Sequence, residues 1–140
     1  MGYDPERLIL PNEMGWADLP CPTEEQEQVY VIQWCELMRP ELPELELLFH
    51  IPNGGMRSKT EAVRFKRIGV KPGVPDLFLP VARGKFHGLF IEMKRKKGSR
   101  PSAEQSGWIK RLKDEGYAAY IAQGGEEAVK ILGDYLKRQK

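Results

Sequence analysis

The chain has 140 residues, 41% hydrophobic and 30% charged, enough for one domain with a real core and no need of disulfides or structural metal. No stretch nears the roughly 18 consecutive apolar residues of a membrane span, and Met1 to Leu10 lacks the basic-then-apolar order of a signal peptide, so a soluble cytoplasmic protein without a membrane partner is expected. Cys21 and Cys35 form no CxxC pair, and His50 and His87 form no HExxH helix. Disulfide frameworks and cysteine-rich zinc sites are excluded and little material remains for a histidine-based metal site, which leaves mainly carboxylates and lysine to carry any chemistry. The net charge of +2 hides an asymmetry. Residues 1–50 hold eleven acids against Arg7 and Arg39, a balance of −9, whereas residues 51–140 hold twenty bases against nine acids, a balance of +11. A basic part of that size suits a polyanion, although lysines that merely solvate helices give the same count.

In chain order, residues 1–22 carry Pro5, Pro11, Pro20 and Pro22 and read as an irregular arm, ahead of a single domain over 23–140. Thr23 caps a first helix with Glu24 and Glu25 in its first turn and an apolar face through Val31, Cys35 and Met38, ending at Arg39-Pro40. Leu45 to Ile51 reads as a short strand, broken by Pro52-Asn53-Gly54-Gly55. Ser58 and Glu61 form an S-x-x-E capping box that opens a helix to about Ile68. Asp76 to Pro80 is a brief strand, and Gly88 to Lys94 is a stronger one, expected antiparallel to it. Ser102 and Gln105 make a second capping box, opening a helix through Trp108, Ile109 and Leu112 that stops at Gly116. Tyr117 to Ala122 is a strand and Glu126 to Leu136 a closing helix. The expected order is αβαββαβα, an α/β sandwich with a mixed central sheet flanked by helices.

Side chains alternate across a strand, so Phe90, Glu92 and Lys94 share one face of theirs while Leu89, Ile91 and Met93 form an apolar one. Glu92 and Lys94 fit either an ion pair on a solvated sheet face or a site, because charges in a core-like strand must pair, meet a metal or reach solvent. Asp76 opens the neighbouring strand with the same oddity. Two carboxylates on adjacent strands can share a hard divalent cation such as Mg²⁺, and a lysine beside them can orient water or offset charge on a phosphorane-like transition state. That arrangement hydrolyses phosphodiesters without a histidine, a nucleophilic serine or an organic cofactor.

Pro75-Asp76 followed sixteen positions later by Glu92-Met93-Lys94 resembles the PD-(D/E)-x-K motif of restriction-endonuclease-like nucleases. Ile51-Pro52-Asn53-Gly54-Gly55, Gly73-Val74-Pro75-Asp76-Leu77, Gly88 to Lys94 and Ser102-x-x-Gln105-x-x-Trp108 occur in the order of its VRR-NUC branch, and the resemblance spans roughly residues 23–136. It implies a metal-dependent DNA endonuclease, similar to standalone phage and bacterial versions, with Asp76, Glu92 and the Met93 carbonyl on Mg²⁺ or Mn²⁺ and Lys94 handling the water. The family also places an acid on the first helix. Among Glu24, Glu25 and Glu27, helical spacing selects Glu27 first and Glu24 second. Gln105 is explained by its capping box and also by the family's active-site glutamine.

The basic run places Arg95, Lys96, Lys97 and Arg100 beside the metal strand, suited to DNA backbone contact. Asn53 to Gly55 fit either a turn after the strand or a loop approaching a phosphate, and just beyond them Arg57, Lys59, Arg64, Lys66 and Arg67 are placed to line a groove. His50 reads as a hydrogen-bonded structural residue, and Trp34 and Trp108 as core. Small domains of this type resemble junction resolvases, which implies branched DNA as substrate and a homodimer matched to its two equivalent strands. A helicase partner is not legible. Two other readings stay open: a noncatalytic nucleic-acid-binding module of the same fold, and a nuclease for other DNA or RNA structures or ends.

Overall fold

In the computed structural model, residues 21–52 and 58–140 are described; Asn53, Arg57 and the first twenty residues of the expected arm lie outside them. The first helix, α1 (Glu24–Met38), starts where expected: Thr23 accepts from the Gln26 backbone N–H and the Gln26 side chain returns to the Thr23 N–H. The stretch read as a strand from Leu45 divides. Pro43–Leu47 is a 3₁₀ turn, and only Phe49–His50 pairs as a strand, β1. The reason lies in spacing: the inward side chains are Leu42, Leu45 and Leu48, a period of three, while Leu47 and Phe49 face water.

Next come α2 (Lys59–Arg67), capped by Ser58 on the Glu61 N–H, then β2 (Leu77–Leu79) and β3 (Leu89–Lys94). They are followed by α3 (Ala103–Asp114), β4 (Ala118–Gln123) and α4 (Gly125–Leu136). The sheet order is β1-β2-β3-β4, antiparallel from β1 to β3 and parallel between β3 and β4, so the mixed sheet and the element order agree with the sequence. The parallel pair needs the α3 crossover, which packs against β4.

Leu77, Leu79, Leu89, Ile91 and Met93 are buried in the core with Val31 of α1 and Ala128 and Leu132 of α4. Residues on the other face include Phe78 and Phe90, stacked at 4.2 Å, with Tyr117 edge-on to both. Among the described residues no helix is long and apolar enough to cross a membrane.

Candidate active site

Antiparallel register sets Leu77 across from Ile91, so Asp76, one step before β2, falls opposite Glu92. Asp76 Oδ2 accepts from the Met93 N–H at 2.8 Å. The Asp76 carbonyl is held from β1, accepting from the Ile51 N–H at 2.7 Å and lying 2.8 Å from His50 Nδ1. Glu92 and Lys94 are not on a solvated face: they are 2% and 6% exposed.

Glu92 Oε1 accepts from Gln105 Nε2 at 2.7 Å and lies 3.8 Å from Lys94 Nζ, whereas the buried Glu92 Oε2 meets no donor among the described residues, and the Asp76 carboxyl is its neighbour. Gln105 does both things expected of it. Its Oε1 accepts from the Ser102 N–H to close the capping box while its Nε2 holds Glu92.

The charge here is out of balance. Burial pushes the Glu92 carboxyl up to about 8, reinforced by the adjacent Asp76 and opposed by Lys94. Burial also raises Asp76, against the Met93 N–H that favours its ionised form. An orphaned carboxylate oxygen beside a second carboxylate is a donor set that fits a divalent cation. The Met93 carbonyl leaves the strand on the same side as its N–H, toward Asp76, while the Lys94 carbonyl accepts from Gly124 on the β4 side. Among the described residues no three His, Cys, Asp or Glu side chains gather as a metal cluster, so Asp76, Glu92 and the Met93 carbonyl are the groups here that could face a cation.

The first-helix acid that reaches this centre is Glu24. Its Oε1 lies 3.5 Å from Lys94 Nζ and accepts from Ser99 Oγ at 2.9 Å. Glu27 is buried elsewhere: its Oε2 accepts from the Gly125 N–H at 3.1 Å, an anion at the N-terminus of α4. Gly124 is required for that approach, because its φ is +96° and a Cβ there would stand 2.6 Å from Glu27 Oε2.

The basic run is divided as well. Arg95 turns back to donate to the carbonyls of Pro22 and Cys21 at 3.2 and 3.1 Å, tying down the start of α1. Lys96 is half-buried over Gly124, near Glu27, while Lys97 and Arg100 are exposed, as is Lys59 at the start of α2. Trp34 packs against the core, and Trp108 is half-buried with its indole N–H on the Pro72 carbonyl. Sequence reasoning passed over Ser99, since a serine in a basic loop carries no signal of its own.

Comparison with known proteins follows the same lines. A family model, the VRR-NUC domain, matches residues 15–126. A solved structure described as a VRR_NUC domain protein is 34% identical, covering 87% of this chain and 94% of that one, with a TM-score of 0.75. No curated protein matches.

Proposed function

The chain belongs to the VRR-NUC family, a nuclease-like domain family, and from that premise we propose that it is a metal-dependent endonuclease hydrolysing phosphodiester bonds in DNA. The observation that carries the reading is Glu92 Oε2, a buried acceptor that meets no donor among the described residues and lies beside a second carboxylate. Asp76, Glu92 and the Met93 carbonyl would hold Mg²⁺ or Mn²⁺. When bound, that ion supplies positive charge for the phosphorane-like transition state and acidifies a water. Gln105 fixes one oxygen of Glu92 and leaves the other for the ion; the Met93 N–H does the corresponding service for Asp76. Lys94, steadied by Glu24 and Glu92, orients the attacking water, whose oxygen bonds to phosphorus as the sugar oxygen departs with a proton.

Lys97 and Arg100 meet the backbone flanking the scissile phosphate, and Arg95 and Lys96 serve the fold. Branched DNA is the favoured substrate and a homodimer the acting form, since a four-way junction offers two equivalent strands to two symmetric sites.

The test is cleavage of a labelled four-way junction beside linear duplex, single strand and closed circle, in Mg²⁺, Mn²⁺ and EDTA. Paired symmetric nicks that need the metal are expected. Asp76→Ala or Glu92→Ala should lower turnover by at least about 10²–10³-fold while the fold is kept, and Lys94→Ala should do likewise. Normal turnover in either carboxylate variant sinks the metal site, and nicking of the other substrates in place of the junction discards the substrate claim.

A further inference from the structure

Helix α2 buries none of its residues. Lys59, Thr60, Val63, Arg64, Arg67 and Ile68 share one open face at i, i+4 and i+8 spacing, and Val63 and Ile68 are 59% and 65% exposed on it. The sequence of the helix holds four bases against Glu61 alone. A nine-residue basic helix with nothing among the described residues packed on its outer face gains little from folding by itself, which points to a partner.

Its placement identifies where that partner lies. The chain leaves for α2 just after Ile51, whose N–H is bonded to the Asp76 carbonyl, and returns from it to Asp76 itself. The return leg is pinned to α3: the Trp108 indole donates to the Pro72 carbonyl, and Gly73, at φ +86°, lies so close to Glu104 that a Cβ would stand 2.8 Å from its backbone. Both ends of the excursion therefore converge on the proposed metal strand end, so α2 is anchored at the site rather than at the far side of the sheet.

We propose that the outer face of α2 is a nucleic-acid backbone surface, on which Lys59, Arg64 and Arg67 take the phosphates of the substrate strand away from the cleaved bond. Val63 and Ile68, set between these bases, give the sugar rings an apolar contact. Charge complementarity selects this occupant over a second copy of the chain, because two α2 helices set face to face would oppose their own cations. The proposal rests on the nuclease reading for its substrate and adds a surface that the reaction itself does not require.

The experiment measures DNA binding with Ca²⁺ in place of Mg²⁺ across a salt series, for wild type, Arg64→Ala/Arg67→Ala and a control, Lys137→Ala/Lys140→Ala. The control pair is exposed at the end of α4 remote from Gly124. Losing two phosphate contacts should flatten the log–log salt slope by about 1.8 and weaken binding at low salt, with the control slope unchanged. Thermal melts confirm that each variant folds. A wild-type slope in the α2 variant overturns the proposal, and so does an equal flattening in the control. Sedimentation that shows the wild type dimeric and Val63→Ser/Ile68→Ser monomeric, with the slope intact in both α2 variants, assigns the face to a second copy instead. Cleavage by the wild type with no α2 dependence sinks this surface alone, whereas α2-dependent binding without any metal-dependent cleavage sinks the nuclease reading alone.

Discussion

Arg83 and Lys94 are both buried cations, set at opposite ends of the β2–β3 pair, and their surroundings differ in kind. Arg83 meets one carboxylate, Glu44, at 3.2 Å and donates to the Ala82 carbonyl at 2.8 Å; nearby the Tyr135 hydroxyl closes on the Val81 carbonyl. Each charge there has its match. Lys94 stands between two carboxylates, Glu24 and Glu92, and a third, Asp76, neighbours Glu92; burial raises both Asp76 and Glu92, and Glu92 Oε2 meets no donor among the described residues. A balanced pair holds a fold together. An unbalanced cluster of buried carboxylates costs the fold free energy, as expected of a site arranged for function.

The largest effects should come from inverting that difference. Because the Glu92 pKa is raised in the folded state, the contribution of this group to stability is fully present below about pH 4.5 and fades as pH rises through about 8. Metal-free wild type should therefore melt at a lower temperature at pH 8 than at pH 5.5, and Glu92→Gln should flatten that dependence and melt higher than wild type at pH 8. Arg83→Met should do the reverse, losing about 1–3 kcal/mol across the same range while keeping cleavage. Calorimetry in EDTA decides it, and a Glu92→Gln protein less stable than wild type at pH 8 would break the contrast.

A narrower comparison separates the two glutamates of α1. Glu24→Ala should lower cleavage by about 10–100-fold with little change in melting, whereas Glu27→Ala should leave an unpaired helix N-terminus and lose about 1–2 kcal/mol with cleavage largely retained. Parallel melts and turnover assays read both, and the reverse pattern would return the role to Glu27. The smallest expected effect is at Ser99, which steadies Glu24. Ser99→Ala should raise the Mg²⁺ concentration for half-maximal cleavage about fivefold, with Ser99→Thr restoring it. An unchanged metal dependence would reduce the contact to a loop tether.

The helices were legible because their ends are written locally: Thr23, Ser58 and Ser102 each accept from the N–H three residues on. The turn at Pro43–Leu47 was not, because a leucine-rich run satisfies period two and period three alike until its neighbours choose. The cluster of Asp76, Glu92 and Lys94 could be anticipated from strand alternation together with the resemblance. The acid from α1 could not be fixed in the same way. Helical spacing does turn Glu27 inward, but what waits there is Gly125, 98 positions away, and no local pattern reports a contact at that range. The basic run misled for a related reason: five bases in seven positions look like one surface, yet Arg95 is drawn back by the carbonyls of Cys21 and Pro22, outside the run altogether.

Gln105 spends the two ends of one amide on two different obligations, one to the helix it begins and one to Glu92 across the site. Asparagine is one methylene short of meeting both. Glutamate can close the same box but would set a further negative charge against an already crowded cluster, where only a neutral donor is tolerated. The first turn of α3 and the orientation of Glu92 thus form or fail together, so fraying of that turn would release a carboxylate well before the sheet beneath it loosened.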